Sequence, residues 1–174
     1  MRYFKTYTGK TMNPIDATTV EVNIIDIAHH LSNICRFSGA TISFYSVAQH
    51  SVHVSKLLEM KGFSKYVQLV GLLHDATEAY LGDVTRLVKN SLPEYKKWEA
   101  ALDEHIMSSL DVPRYEKEEV RAIVKEYDDT MLEYEKKALL HGADVSLPNG
   151  WLPLLPDTAK ILFLERFYEL NKAV

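Results

Sequence analysis

Apolar residues in this chain recur at intervals of three and four over most of its length, and the strict alternation of half-buried strands is scarce. Ile24, Ile27, Ala28, Leu31 and Ile34 mark a first helix over Ile24–Cys35, with Asn23 placed to cap it. The pattern breaks at Arg36-Phe37-Ser38-Gly39, where Gly39 is a natural stop. Ser46 can cap a second helix, Val47 to about Lys61, and Ser64 a third, Lys65 to about Tyr80; Gly62 and Gly82 close them. Asp83–Leu92 reads as a loop or short helix. Pro93 opens a fourth helix that runs to about Leu110, and beyond Pro113 a long fifth helix covers Glu116–Leu140. The stretch from Gly142 to Pro156 carries four prolines or glycines after its first residue and reads as a long loop. A last amphipathic helix, Asp157–Asn171, uses Ala159, Ile161, Leu162, Leu164, Phe167 and Leu170. Residues 1–22 lack helical period and read as irregular structure with room for a short hairpin. The expected fold is all-α, about six helices in a single domain over 1–174.

At 174 residues such a domain can bury a sizeable core. Apolar residues make up 47% and charged residues 25%, as in ordinary globular proteins, so disorder is not expected. The formal net charge of -4 gives no general attraction to nucleic acid or an anionic membrane. A polyanionic substrate would therefore need a local basic site or a metal. No apolar stretch approaches the roughly 20 residues that span a bilayer, and the N-terminus has no signal-like apolar segment. The one cysteine, Cys35, allows no internal disulfide, which fits a reducing, cytoplasmic setting.

Chemistry concentrates where the apolar run LVGLL meets His74 and Asp75. Two polar groups side by side near a core must be satisfied, and a buried, unpartnered carboxylate costs several kcal/mol, order-of-magnitude. A divalent cation would resolve that cost for both. Glu78, three and four residues on, shares their face of the expected helix, where a carboxylate could orient or deprotonate a water. His50 shares its side of the second helix with Val47, Val54 and Leu57 and so looks inward. An inward imidazole opposite a His-Asp pair supplies the mixed donor set of a metal site. Asp128 is the best later carboxylate, because it begins the seam Asp128, Met131, Leu132, Glu135, Leu139; Asp129 turns about 100° away. Spacing alone leaves open that Asp75 and Glu78 are solvated and His74 is a core histidine.

The ordered set Arg36-Phe37-x-Gly39, Tyr45-Ser-Val-Ala-Gln-His50-Ser-Val, His74-Asp75-Ala-x-Glu78-Ala-Tyr80-x-Gly82-Asp83, Lys89 and Asp128 resembles the HD-domain phosphohydrolases. It is most similar to the small branch with bacterial 5'-deoxyribonucleotidases and phage dATP triphosphohydrolases. The resemblance runs from about Tyr7 to Leu170 and includes Phe163-Leu164-Glu165-Arg166-Phe167. It implies a compact HD-domain helical bundle in which His50, His74, Asp75 and Asp128 ligate one divalent transition metal (Co, Mn, Ni, Fe or Zn). It also implies water-assisting roles for Glu78 and Asp83, phosphate contacts for Arg36 and Lys89, and a sugar or base contact for Phe37. Arg86 and Lys125 are further basic candidates without a firm match. Only His105 lies in the interval where two-metal relatives add histidines, so one ion is expected, with room for a second such as Mg arriving with substrate.

The implied activity is hydrolysis of a deoxynucleotide ester or anhydride, first a dATP-type triphosphohydrolase and alternatively a 5'-deoxyribonucleotidase on monophosphates. Alarmone hydrolases carry Glu-Asp after the His-Asp pair, whereas Ala79 follows Glu78 here, which counts against them. Cyclic-nucleotide hydrolysis is a further, weaker reading. A non-catalytic HD signalling module would be expected to have lost ligands, and this chain keeps the set. By the same resemblance the expected partners are a small nucleotide and further copies of the chain as a homo-oligomer, with neither nucleic acid nor membrane.

Overall fold

The computed structural model describes residues 3–113, 117–142 and 146–172. It is helical almost throughout. The helices are α1 (Ile24–Asn33), α2 (Val47–Met60), α3 (Lys65–Leu73), α4 (Glu78–Leu81), α5 (Arg86–Ser91), α6 (Pro93–Ser109), α7 (Lys117–Leu139) and α8 (Pro156–Asn171). The expected start of the fifth helix at Glu116 lies outside the described residues, as does part of the loop after Gly142. Side-chain caps form where the sequence places them: Asn23, Ser46 and Ser64 accept from the backbone N–H of Ile25, Gln49 and Val67. The N-terminal segment does form a hairpin, β1 (Phe4–Lys5) pairing antiparallel with β2 (Thr11–Met12). Its turn is fastened to α1 by Thr8, whose N–H and hydroxyl donate to the buried Asp26 carboxylate at 2.7 and 2.8 Å.

Helix α2 is the axis of the molecule. It packs on α1, α3, α7 and α8, and Val47 through Ser55 are all buried. A helix buried on every side needs protein partners for most of the polar groups it carries. Gln49 does so by gripping the backbone of the loop before α8, donating to Leu152 O and accepting from Leu154 N–H. Ser55 donates to Gln68 O and accepts from Arg166 Nε. That buried arginine also reaches Glu59, Glu169 and Gln68, so one guanidinium ties α8 to α2 and α3.

Two expectations need correction. The third helix does not continue to Tyr80: α3 ends at Leu73 and a turn separates it from α4. Successive i→i+3 bonds tighten the chain here, Ala76 to Leu73, Glu78 to Asp75 and Tyr80 to Thr77. The His74 imidazole meanwhile takes the Gly71 carbonyl at 2.8 Å. His74 and Asp75 therefore stand at a helix end rather than mid-helix. In α8 the buried set is Ala159, Phe163, Arg166, Phe167 and Leu170, while Ile161 is exposed. The phase follows the i, i+4, i+7 stripe from Ala159, which turns Ile161 to the far side.

The close approach of α3 to α2 depends on Gly71. A Cβ there would overlap the Leu58 side chain, which is itself fully buried. Gly71→Ala should thus lower stability by about 1 kcal/mol net. Overpacking costs roughly 1–3 kcal/mol, and the helix-propensity gain of about 1 kcal/mol offsets only part of it. Urea unfolding reads the sign, and a stabilised variant would contradict the packing argument.

Candidate metal centre

Four segments meet at one point. The middle of α2 brings His50, the end of α3 brings His74, the following turn brings Asp75, and α7 brings Asp128. The rings of His50 and His74 lie 5.3 Å apart, centroid to centroid. One donor atom each from His50, His74 and Asp128 falls within 4.8 Å of the other two. Asp75 Oδ2 stands 3.1 Å from His74 Nε2 and 3.7 Å from His50 Nε2, and 3.6 Å from Arg36 Nη1. Asp129 turns to Arg86 and Lys125 at the surface.

The nitrogens decide what the cluster suits. His50 Nδ1 is 2.6 Å from Glu135 Oε1 and His74 Nδ1 is 2.8 Å from Gly71 O, so each Nδ1 carries the proton and donates it. In the neutral imidazoles each Nε2 is then a lone pair, and both are buried without a hydrogen-bond partner. Two buried lone pairs aimed at two carboxylates are a costly arrangement for protein alone. They fit a divalent cation, which takes imidazole and carboxylate donors at about 2.0–2.2 Å. The electrostatics agree. Burial alone would depress His74, yet the Asp75 and Asp128 carboxylates lift it well above its ordinary value. Burial would raise the two aspartates, yet the imidazoles hold both far below the usual carboxylate range. The cluster attracts positive charge, and protons are the stand-ins for a cation.

Glu135 is the residue that sequence reasoning passed over as a site member. It is fully buried, and besides His50 it accepts from Arg36 Nε at 3.1 Å. A charged residue seven positions after Asp128, on an otherwise apolar seam, was the available signal.

The site opens onto a pocket of about 620 Å³ lined by Arg36, Phe37, His74, Asp75, Glu78, Asp83, Lys89 and Asp128 among others. All the residues singled out from sequence line it except His50, which lies fully buried behind the wall. Arg36 is anchored through its backbone, N–H to Tyr45 O at 2.9 Å. Phe37 and Ser38 follow with φ of 54° and 51°, a left-handed pair that costs roughly 1–3 kcal/mol per non-glycine residue. The strained turn sets the Phe37 ring at the pocket, with the Arg36 guanidinium 5.6 Å from its centre. Glu78 is buried; burial, then Asp75 and Asp83, push its carboxyl well above the usual range. Its Oε1 accepts from Lys89 at 3.1 Å and its Oε2 is unpartnered. Lys89 also donates to Glu99 at 2.7 Å. Asp83, half-buried, is raised as well, chiefly by burial.

A model of the HD domain family matches residues 36–144, which carry the whole cluster. The chain belongs to the HD domain family. Over 99% of its length it is 35% identical to the uncharacterized protein YfdR of Escherichia coli K12, of which it covers 97%. It is also 38% identical to the uncharacterized protein RCAP_rcc00048 of Rhodobacter capsulatus, over 48% of this chain and 45% of that one. HD-domain membership implies a metal-dependent hydrolase, and the His50, His74 and Asp128 donors could hold the ion. Among the described residues no helix is long and apolar enough to cross a membrane.

The remaining histidines of α1 and α2 have structural partners. His29 stacks on Tyr7, and His30 joins Tyr7 N–H to Ala79 O. His53 stacks on Trp151 and bonds the Tyr45 hydroxyl at 2.8 Å. Burial pushes His53 down to about 3, so it stays neutral in the fold while the unfolded chain takes a proton below its ordinary 6.5. Stability from this residue is complete above that value and is lost as pH falls toward 3. Between pH 7 and 5, metal-free His53→Gln protein should lose about 2 kcal/mol less than wild type. Equal losses in paired denaturation curves would show that His53 does not carry this dependence.

Proposed function

We propose that this HD domain hydrolyses a phosphate ester or anhydride of a deoxynucleotide, with a deoxynucleoside triphosphate of the dATP type as preferred substrate. The observation that carries the reading is the pair of buried, unpartnered imidazole nitrogens facing Asp75 and Asp128 at the wall of a nucleotide-sized pocket. His50, His74, Asp75 and Asp128 hold one divalent transition metal in this reading. The ion supplies Lewis acidity toward a phosphoryl oxygen and makes water a competent nucleophile near neutral pH.

The other residues do the positioning. Glu78, protected from solvent beside Asp75, receives the proton of the attacking water and returns it toward the leaving oxygen as the P–O bond breaks. Asp83 helps to orient that water. Arg36 and Lys89 neutralise charge on the transferring group, the main requirement of phosphoryl transfer. Phe37 offers a flat apolar surface to the sugar or base. A longer phosphate chain is favoured by the further basic side chains around the pocket, Arg86, Lys96, Arg121 and Lys125. Each is held by a neighbouring polar or acidic group, as Arg121 is by Asp103 and Lys96 by Asn90, and a polyphosphate competes for them. A 5'-deoxyribonucleotidase acting on monophosphates is the alternative and needs only Arg36 and Lys89. Exposed Ile161 and Tyr168, two turns apart on α8, support a homo-oligomer.

A panel of deoxynucleotide mono- and triphosphates, each with Co, Mn, Ni, Fe or Zn, separates the readings by product. Tripolyphosphate release is expected; inorganic phosphate from monophosphates would move the assignment to the alternative, and no product from any pair would overturn it. Asp75→Ala should abolish turnover and metal retention together. Glu78→Ala should keep the metal and slow turnover by about 10²–10⁴-fold. A fully active Asp75→Ala protein would remove the basis of the proposal.

A further inference from the structure

Glu135 lies at the centre of a buried polar network that neither the metal donors nor the pocket explains by itself. Its carboxylate has no exposure to solvent. Oε1 accepts the Nδ1 proton of His50 at 2.6 Å, and Oε2 accepts Nε–H of Arg36 at 3.1 Å. The Tyr45 hydroxyl adds to the electrostatics of the same carboxylate, and that hydroxyl is bonded to His53 Nδ1 at 2.8 Å. A carboxylate has only acceptors, about four lone-pair sites on two oxygens. Every partner around Glu135 is therefore obliged to donate.

For Arg36 that obligation changes nothing, since its guanidinium keeps its protons in any protein. For His50 it decides everything. A neutral imidazole carries one proton, and placing it on Nδ1 leaves the lone pair on Nε2, the atom that faces Asp128 at 3.2 Å and Asp75 at 3.7 Å. The other Glu135 oxygen fixes Nε of Arg36 and leaves the guanidinium's Nη groups to reach the pocket side, where Nη1 lies 3.6 Å from Asp75. One side chain thus stands behind a metal donor and a phosphate-facing cation at once.

We infer that Glu135 is a positioning residue that sets the His50 tautomer for metal binding and, through Arg36, couples the metal site to the anion-binding side of the pocket. This rests on the metal-site reading given above. Partners of this kind behind a ligating histidine are worth roughly 10–100-fold in metal affinity.

The geometry makes a specific demand on Glu135→Gln. An amide offers one acceptor oxygen and one NH₂. Arg36 Nε cannot face the NH₂, so the oxygen goes to Arg36 and the NH₂ turns to His50 Nδ1. His50 must then accept at Nδ1 and carry its proton on Nε2, which blocks the lone pair that the metal needs. With Arg36→Met the amide is free to turn over and present its oxygen to His50. Loss of metal affinity in Glu135→Gln should therefore be repaired by a second substitution that removes the Arg36 cation.

The test is Co²⁺ and Zn²⁺ titration of metal-free protein in four forms: wild type, E135Q, R36M and E135Q/R36M. Long-range ¹H–¹⁵N spectra of the Zn²⁺-loaded wild type report which His50 nitrogen carries the proton. Expected are a proton on His50 Nδ1 in the wild type, a roughly 10–100-fold weaker affinity on E135Q in the native background, and a change below about threefold on E135Q in the R36M background. An equal loss in both backgrounds, or no loss in either, overturns the coupling. Metal on Nδ1 of wild-type His50 overturns the tautomer assignment even if E135Q does not fold. A wild type that binds neither ion would instead sink the metal-site reading, which keeps the two failures apart.

Discussion

Two imidazole lone pairs held in the dark interior of a helical bundle are the constraint around which this molecule is arranged. His50 and His74 each donate their Nδ1–H to a fixed acceptor, one a buried carboxylate and the other a backbone carbonyl. What remains at Nε2 is basic, desolvated and directed at Asp75 and Asp128. Apolar packing alone would never favour such a cluster, because unsatisfied polar atoms in a low-dielectric interior cost more than the burial returns. A bound cation turns the same arrangement into a favourable one. The surrounding fold holds it in place: α2 is buried on all sides, Gly71 lets α3 approach it closely, and the tightened turn after Leu73 delivers His74 and Asp75 together.

The pocket in front of this centre extends the same logic of paired charges. Its basic groups are held by acids, Lys89 by Glu78 and Glu99, Arg86 and Lys125 by Asp129. A phosphate substrate of the proposed kind would shift that balance, since its oxygens would compete for cations that acid partners now hold. Glu78 gains most from such a change. Burial, then Asp75 and Asp83, hold its carboxyl well above the usual range, and a cation next to Asp75 would offset the share that Asp75 contributes, easing its use as a base. In the proposed reaction, proton movement at Glu78 and charge neutralisation by Lys89 would be linked through their one hydrogen bond.

What could be read from the sequence was local. The period of three and four, with Asn23, Ser46 and Ser64 just ahead of it, located helices to within a residue or two, because caps and stripes act within one or two turns. The His-Asp pair and the inward face of α2 were legible for the same reason. The end of α3 was not, since residues 65–80 keep helix-forming side chains throughout and the break comes from i→i+3 tightening with a side chain on Gly71 O. Ile161 was misplaced because α8 has apolar residues on more than one side, and only packing on α1, α2 and α3 selects the stripe. Glu135 shows the limit most clearly. Its position on the seam was visible, but its value depends on Arg36, 99 residues away in sequence.

Anomalous diffraction from crystals grown with Co²⁺ or Zn²⁺, measured on both sides of the metal's absorption edge, locates the ion itself. One strong peak should lie about 2.0–2.2 Å from the Nε2 atoms of His50 and His74, with carboxylate oxygens of Asp75 and Asp128 completing the shell. A map with no peak there, and with the two imidazoles hydrogen-bonded to the aspartates instead, would contradict the metal-site reading.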